Sequence, residues 1–165
     1  MKPLLILILL QFTVCTKTYC QDSIQIIAAI RNEINSIEEA EFKLDIINNS
    51  QRTLLVPNVL YYNSIFLNTD YLDLAFELYV FQNNKYVLKD SCAEIIDPII
   101  PEEGIVMRKY SHGKSFNYGF VLPYGCFDSH RKFKIRFIYF AKFEDGSRKR
   151  IISNWYFFKL TRKIF

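Results

Sequence analysis

A chain of 165 residues, half of them hydrophobic, is long enough for one ordinary domain and too apolar for a disordered one. A net charge of +4 is too small to demand a polyanionic partner, and five Gly with five Pro leave little room for long linkers. The aromatic share of 16%, carried mainly by Phe and Tyr, favours pleated sheet.

The first element is a leader. Met1-Lys2 precedes an unbroken Leu/Ile run from Leu4 to Leu10, extended by Phe12 and Val14. That run is too short to span a bilayer, and a positive start before a short apolar stretch has the layout of a secretory signal peptide. We expect a signal peptide over residues 1–20 and one domain over 21–165, secreted or held in the periplasm or cell envelope. Cleavage after Cys20 places Thr18 and Cys20 at the two selective positions. Cleavage after Cys15, or retention as a membrane anchor, is the alternative. Neither Cys15 nor Cys20 follows a lipobox-like small residue.

Strands follow in order. Ile26, Ala28 and Ile30 alternate, and Ile34 keeps the parity, which predicts a strand; Ile27, Ile30, Ile34 and Ile37 would share a face if the segment were helical. Phe42, Leu44 and Ile46 point one way and Lys43 and Asp45 the other, the pattern of a strand with one wet face. Asn48-Asn49-Ser50 reads as a turn and is also a glycosylation sequon. Thr53 to Val56 is a short strand stopped by Pro57. Leu72, Leu74, Phe76, Leu78 and Val80 alternate up to Asn83-Asn84, a hairpin turn, and Lys85 to Leu88 return.

Residues 97–104, with two prolines, acids and a Gly, are expected to form a loop. Phe116, Tyr118, Phe120 and Leu122 alternate again. Lys132 to Phe140 is the strongest strand, with Phe133, Ile135, Phe137 and Tyr139 on one face and Lys132, Lys134 and Arg136 on the other. Asp145-Gly146 centres a turn, and Ile151 to Leu160 is expected as one closing strand with Ile151, Ser153, Trp155 and Phe157 on one face. The sum is an all-β domain, a single antiparallel β-sandwich of about seven to nine strands, with a closed barrel as the alternative.

The stretch Glu41-Phe-Lys-Leu-Asp-Ile-Ile-Asn-Asn-Ser50 resembles the second strand and following turn of immunoglobulin-like domains in exported bacterial proteins. Arg131 to Phe137 with Ser153-Asn154-Trp155 is similar to the last hairpin of such domains. The resemblance covers residues 24–160 in pattern, implies an Ig-like sandwich, and carries no catalytic residue. The Cys-Trp-Cys order of antibody domains is absent, because Trp155 follows both Cys92 and Cys126.

After cleavage at Cys20, Cys92 and Cys126 remain, and an even count in an exported domain points to a disulfide. Two free buried thiols are the alternative. The bridge would close a loop worth roughly 3–4 kcal/mol on the chain-entropy account. A Cys126–His130 nucleophile pair requires a free thiolate, which the bridge would remove. Cys92, His112, Cys126 and His130 lack the paired short spacings of structural zinc sites. Asn68-Thr69-Asp70 with Asp73 lacks the acid spacing of a calcium loop, and Glu38-Glu39 and Glu102-Glu103 read as solvated turns. No catalytic residue, metal or cofactor is therefore expected.

Binding features are more concrete. Asp22 to Glu103 holds 14 acidic and 5 basic residues, whereas His130 to Phe165 holds 11 basic and 2 acidic. Lys132, Lys134 and Arg136 with Arg148, Lys149 and Arg150 form a candidate anion-binding strip on one hairpin; a solvated, edge-guarding face is the alternative. Tyr61, Tyr62, Tyr71, Tyr110 and Tyr124 are candidate loop contacts, with packing in the core or within the loops as the alternative. The expected function is a non-enzymatic binding module for a partner protein or surface glycan, with no role for nucleic acid. A small exported hydrolase using the Cys–His pair and a structural subunit of an envelope assembly are the alternatives. The oligomeric state is left open.

Overall fold

The computed structural model describes residues 23–35, 41–60, 62–64, 73–89, 104–121 and 131–161. No helix occurs among them. The expected leader over residues 1–20, Cys92, Cys126 and His130 lie outside them.

Twelve strands are present among the described residues: β1 (Ile24–Ala29), β2 (Glu33–Ile34), β3 (Glu41–Asn48), β4 (Leu54–Pro57), β5 (Tyr62–Ser64), β6 (Leu74–Gln82), β7 (Lys85–Leu88), β8 (Met107–Tyr110), β9 (Ser115–Val121), β10 (Lys132–Phe143), β11 (Arg148–Ile152) and β12 (Tyr156–Leu160). They form a three-stranded sheet, β1-β3-β9, and a nine-stranded sheet built around β10. On one side β10 pairs with β6 and then β4; on the other it pairs with β12 and then β11.

The alternation read from β3, β6 and β10 is the alternation that packs. Phe42, Leu44 and Ile46 from the small sheet meet Phe76, Leu78, Phe133, Ile135 and Phe137 from the large one in a single buried cluster. Phe42 meets Phe158 edge-on at 5.6 Å between ring centroids, and Phe116 meets Tyr139 at 5.9 Å. Each fully buried residue of this size contributes roughly 1.5–3 kcal/mol. Tyr156 also ties the layers polarly: the Ala28 N–H donates to its hydroxyl at 2.9 Å.

Asn83 and Asn84 have φ of 48° and 60°, so the β6–β7 hairpin uses the mirror-image turn that matches strand twist. Asn48 does more than mark a turn. It is fully buried; its Oδ1 accepts from the Ser50 N–H and hydroxyl at 3.1 and 2.6 Å, and its Nδ2 donates to the Arg52 and Tyr110 carbonyls at 2.7 and 2.8 Å. Both amide hydrogens are used and the site is closed, so this fold has no room for a glycan on Asn48.

Three expectations need correction. Twelve strands replace seven to nine, because β2 and β5 are only two and three residues long and β8 (Met-Arg-Lys-Tyr) has no apolar alternation. The pairing is not purely antiparallel: β2 runs parallel to β12, and β5 parallel to β6. Finally, Ile151 to Leu160 is not one strand with one face. Ile152 is opposite Ile138 and Tyr156 opposite Ile135, so Ser153, Asn154 and Trp155 oppose only Arg136 and Phe137. The extra residue is a β-bulge, and it reverses the parity. Ile151 packs on the core, while Phe157 is exposed.

Candidate ligand-binding face

The outer face of the large sheet collects the residues that the inner alternation leaves behind. In register, Lys134 lies between Tyr79 of β6 and Phe157 of β12, while Lys132 lies next to Lys159 of β12. Phe81 of β6 opposes Tyr86 of β7. The bulge adds Trp155. Its hinge is the exchange between Phe137 and Ser153: the Ser153 N–H donates to the Phe137 carbonyl and the Phe137 N–H donates to the Ser153 hydroxyl, each at 2.9 Å.

The result is a cationic and aromatic surface. The Lys134 ammonium lies 4.3 Å from the Trp155 ring centroid, 4.7 Å from Tyr79 and 5.0 Å from Tyr86. The Arg136 guanidinium lies 4.6 Å from Trp155, and Lys132 is 6.0 Å from Phe81. Edge-to-face contacts link Tyr79 to Trp155 at 5.3 Å, Phe81 to Tyr86 at 5.1 Å and Tyr86 to Phe157 at 6.0 Å. Cation–π pairs at this range contribute about 0.5–1 kcal/mol each when exposed and also fix the rings in place.

One end of the face is pinned. Arg136 Nε donates to Glu77 Oε2 at 2.7 Å, and this hydrogen bond raises the guanidinium pKa above its ordinary value. Lys142 and Asp73 pair at 2.6 Å further along. Between the two ion pairs, Ala75 and Ile138 are register partners and fully buried. The other end is open. A shallow groove of about 320 Å³ is lined by Asn32, Glu33, Tyr86, Lys132, Phe157 and Lys159, with Phe133 and Phe158 as its floor. Phe157 is 55% exposed.

The candidate cationic set divides into two groups. Lys132, Lys134 and Arg136 lie on this face. Arg148, Lys149 and Arg150 pair with Lys142, Ala141 and Phe140, at the far end of β10. Arg136 and Phe140 are four positions apart, roughly 13 Å along the strand, so the six do not form one strip. The face also holds Trp155, Phe157, Tyr79, Tyr86 and Lys159, which lie outside the candidate set. The sequence signal for Tyr79 and Tyr86 is an aromatic at solvent-facing parity on β6 and β7, whereas Trp155, Phe157 and Lys159 depend on the parity that the bulge reverses.

Other candidates are placed elsewhere. Tyr110 packs against Phe116 at 5.1 Å. His112 is exposed, with Nδ1 3.1 Å from the Ser50 carbonyl oxygen. Asp73 is 3% exposed and held by Lys142. Tyr61, Tyr71, Tyr124, Asn68 to Asp70, Glu38-Glu39 and Glu102-Glu103 lie outside the described residues, as does the side chain of Tyr62.

No family model and no curated relative matches the sequence. Among solved structures, the chain is similar to the ApaA protein from Bordetella pertussis, at 8% identity and a TM-score of 0.40 over 86% of this chain and 94% of that one. It is also similar to the sporulation control protein Spo0M from Bacillus subtilis, at 10% identity and 0.37, over 86% of this chain and half of that one. A third is AvmM, which catalyses macrocyclization in alchivemycin A biosynthesis, at 15% identity and 0.34 over 87% and 91%. Similarity at this level identifies neither a family nor an activity.

Proposed function

We propose that the chain is an exported, non-enzymatic binding module, an Ig-like β-sandwich that takes a partner protein or a surface glycan on the outer face of its large sheet. Export rests on the signal-peptide layout of Met1 to Val14, and the Ig-like architecture on two stacked sheets sharing one core. The observation that carries the binding assignment is the cluster of half-buried Tyr86, Lys134 and Trp155 beside the exposed Phe157, with Trp155 and Phe157 placed by the bulge. Bulges recur where a strand must re-aim a side chain, and exposed aromatics among cations are common anchors of recognition.

The test is a screen of the purified chain against arrays of extracellular proteins and surface glycans, run beside Phe157→Ala. Phe157 is exposed, so the variant keeps the fold. Binding that weakens at least about tenfold in the variant supports the assignment; binding that is unchanged places recognition elsewhere.

A further inference from the structure

We propose that the groove between β7, β10 and β12 binds a carboxylated polysaccharide, with the apolar side of a uronic-acid ring on Phe157 and its carboxylate at Lys132. The inference rests on the binding assignment above and names its ligand class.

Two features of the groove conflict with stability alone. Phe157 is the most exposed of the large hydrophobic side chains on the described surface. Lys132 and Lys159 are direct cross-strand partners on the same face, and like charges so placed destabilise a sheet. Glu33 compensates Lys159 at 2.7 Å. Lys132 is exposed and has no carboxylate partner among the described residues; its one ring contact, at 6.0 Å from Phe81, is at the limit of attraction. The groove therefore retains a cation without a carboxylate partner among the described residues, diagonally across the β10–β12 pair from an exposed ring.

A ligand that relieves both must carry an anion beside an apolar surface. A uronic acid does so: one side of its pyranose ring presents C–H groups, and its carboxylate projects from the ring edge. Lys134, held among three rings at the neighbouring register position, extends the positive potential along the face, which suits a chain with repeating charges. The groove is open and shallow, which fits an extended polymer rather than an enclosed small molecule. Tyr86 and Asn32 offer the hydroxyl and amide that sugar hydroxyls need.

The experiment titrates the full chain with oligogalacturonate, hyaluronan and alginate fragments, with methyl-esterified oligogalacturonate as the neutral control, and with vesicles containing anionic phospholipid. Trp155 is the only tryptophan, so its emission reports on this face. The expected result is saturable binding to at least one carboxylated oligomer, weakened by salt, about tenfold weaker for Lys132→Ala and for Phe157→Ala. For oligogalacturonate, esterification gives a similar loss. Equal binding of esterified and free acid, dependent on Phe157, would overturn the ligand class and leave the binding face standing. Vesicle binding without sugar binding would do the same. Carboxylated-sugar binding that neither variant changes would overturn the site. No binding to any probe would overturn the proposal, and the array screen then decides the face on its own.

Discussion

The Phe137 N–H donates to the Ser153 hydroxyl at 2.9 Å, where an unbroken ladder would use a backbone carbonyl. This contact, returned by the Ser153 N–H to the Phe137 carbonyl, accommodates one extra residue between β11 and β12. From it follow the reversed parity and the placement of Trp155 and Phe157 beside the β6 and β7 aromatics.

Ser153→Ala removes that acceptor and leaves a buried-strand N–H without its partner. The expected loss is about 1–2 kcal/mol, read as a lower urea midpoint at unchanged m-value. A loss near zero would mean that the bulge holds without the hydroxyl.

Asn48 is the polar hub of the opposite end. Asn48→Ala strands the Arg52 and Tyr110 carbonyls and the Ser50 N–H together. The expected destabilisation is about 3 kcal/mol by chemical denaturation, among the larger single-site effects in this chain.

Glu77→Ala tests the pinned end of the face. Glu77 is nearly buried at 9% side-chain exposure, and its loss leaves Arg136 uncompensated beside Trp155. Breaking a fully buried pair costs about 3–5 kcal/mol; Arg136 is 29% exposed, so about 2 kcal/mol is expected here. A shift in Trp155 emission accompanies it.

Asn84→Gly raises stability by about 0.5 kcal/mol, because Asn84 sits at φ 60° and glycine adopts that region without a Cβ penalty. Asn84→Val lowers it by about 1–2 kcal/mol. Thermal or urea midpoints of the two variants should move in opposite directions.

Asp145 titrates below the ordinary carboxylate range. Its main causes are hydrogen bonds from the Ser147 hydroxyl and N–H, with Arg52 adding to them. A depressed folded pKa gives stability that is present above the unfolded value and lost as pH falls through the folded one. The closed Glu144–Ser147 turn therefore persists at pH 4 and loosens only in stronger acid. Carbon-13 titration of the Asp145 carboxyl checks it; a midpoint at or above 3.8 contradicts it.

Much of the fold was legible in the residues. The alternations in Phe42 to Ile46, Leu74 to Val80 and Phe133 to Tyr139 each named the inward face, since period two has few other readings. The Asn83-Asn84 turn was legible because few residues tolerate positive φ. The bulge was not: an extra residue in a strand leaves no compositional mark, and period two alone puts Ile151 and Phe157 on one face. Register was not legible either. Hairpin logic placed Arg148 to Arg150 beside Lys132 to Arg136, but a twelve-residue β10 meets β11 at one end and β12 at the other. The aromatic face needed both facts before it could be seen.

The most direct measurement is amide chemical-shift mapping of the nitrogen-15-labelled chain with its best-binding oligosaccharide. The account predicts perturbations concentrated at Tyr79 to Tyr86, Lys132 to Arg136 and Trp155 to Lys159. Perturbations centred on Glu41 to Asp45 of the small sheet, or on Met107 to Tyr110, with that face silent, would contradict it.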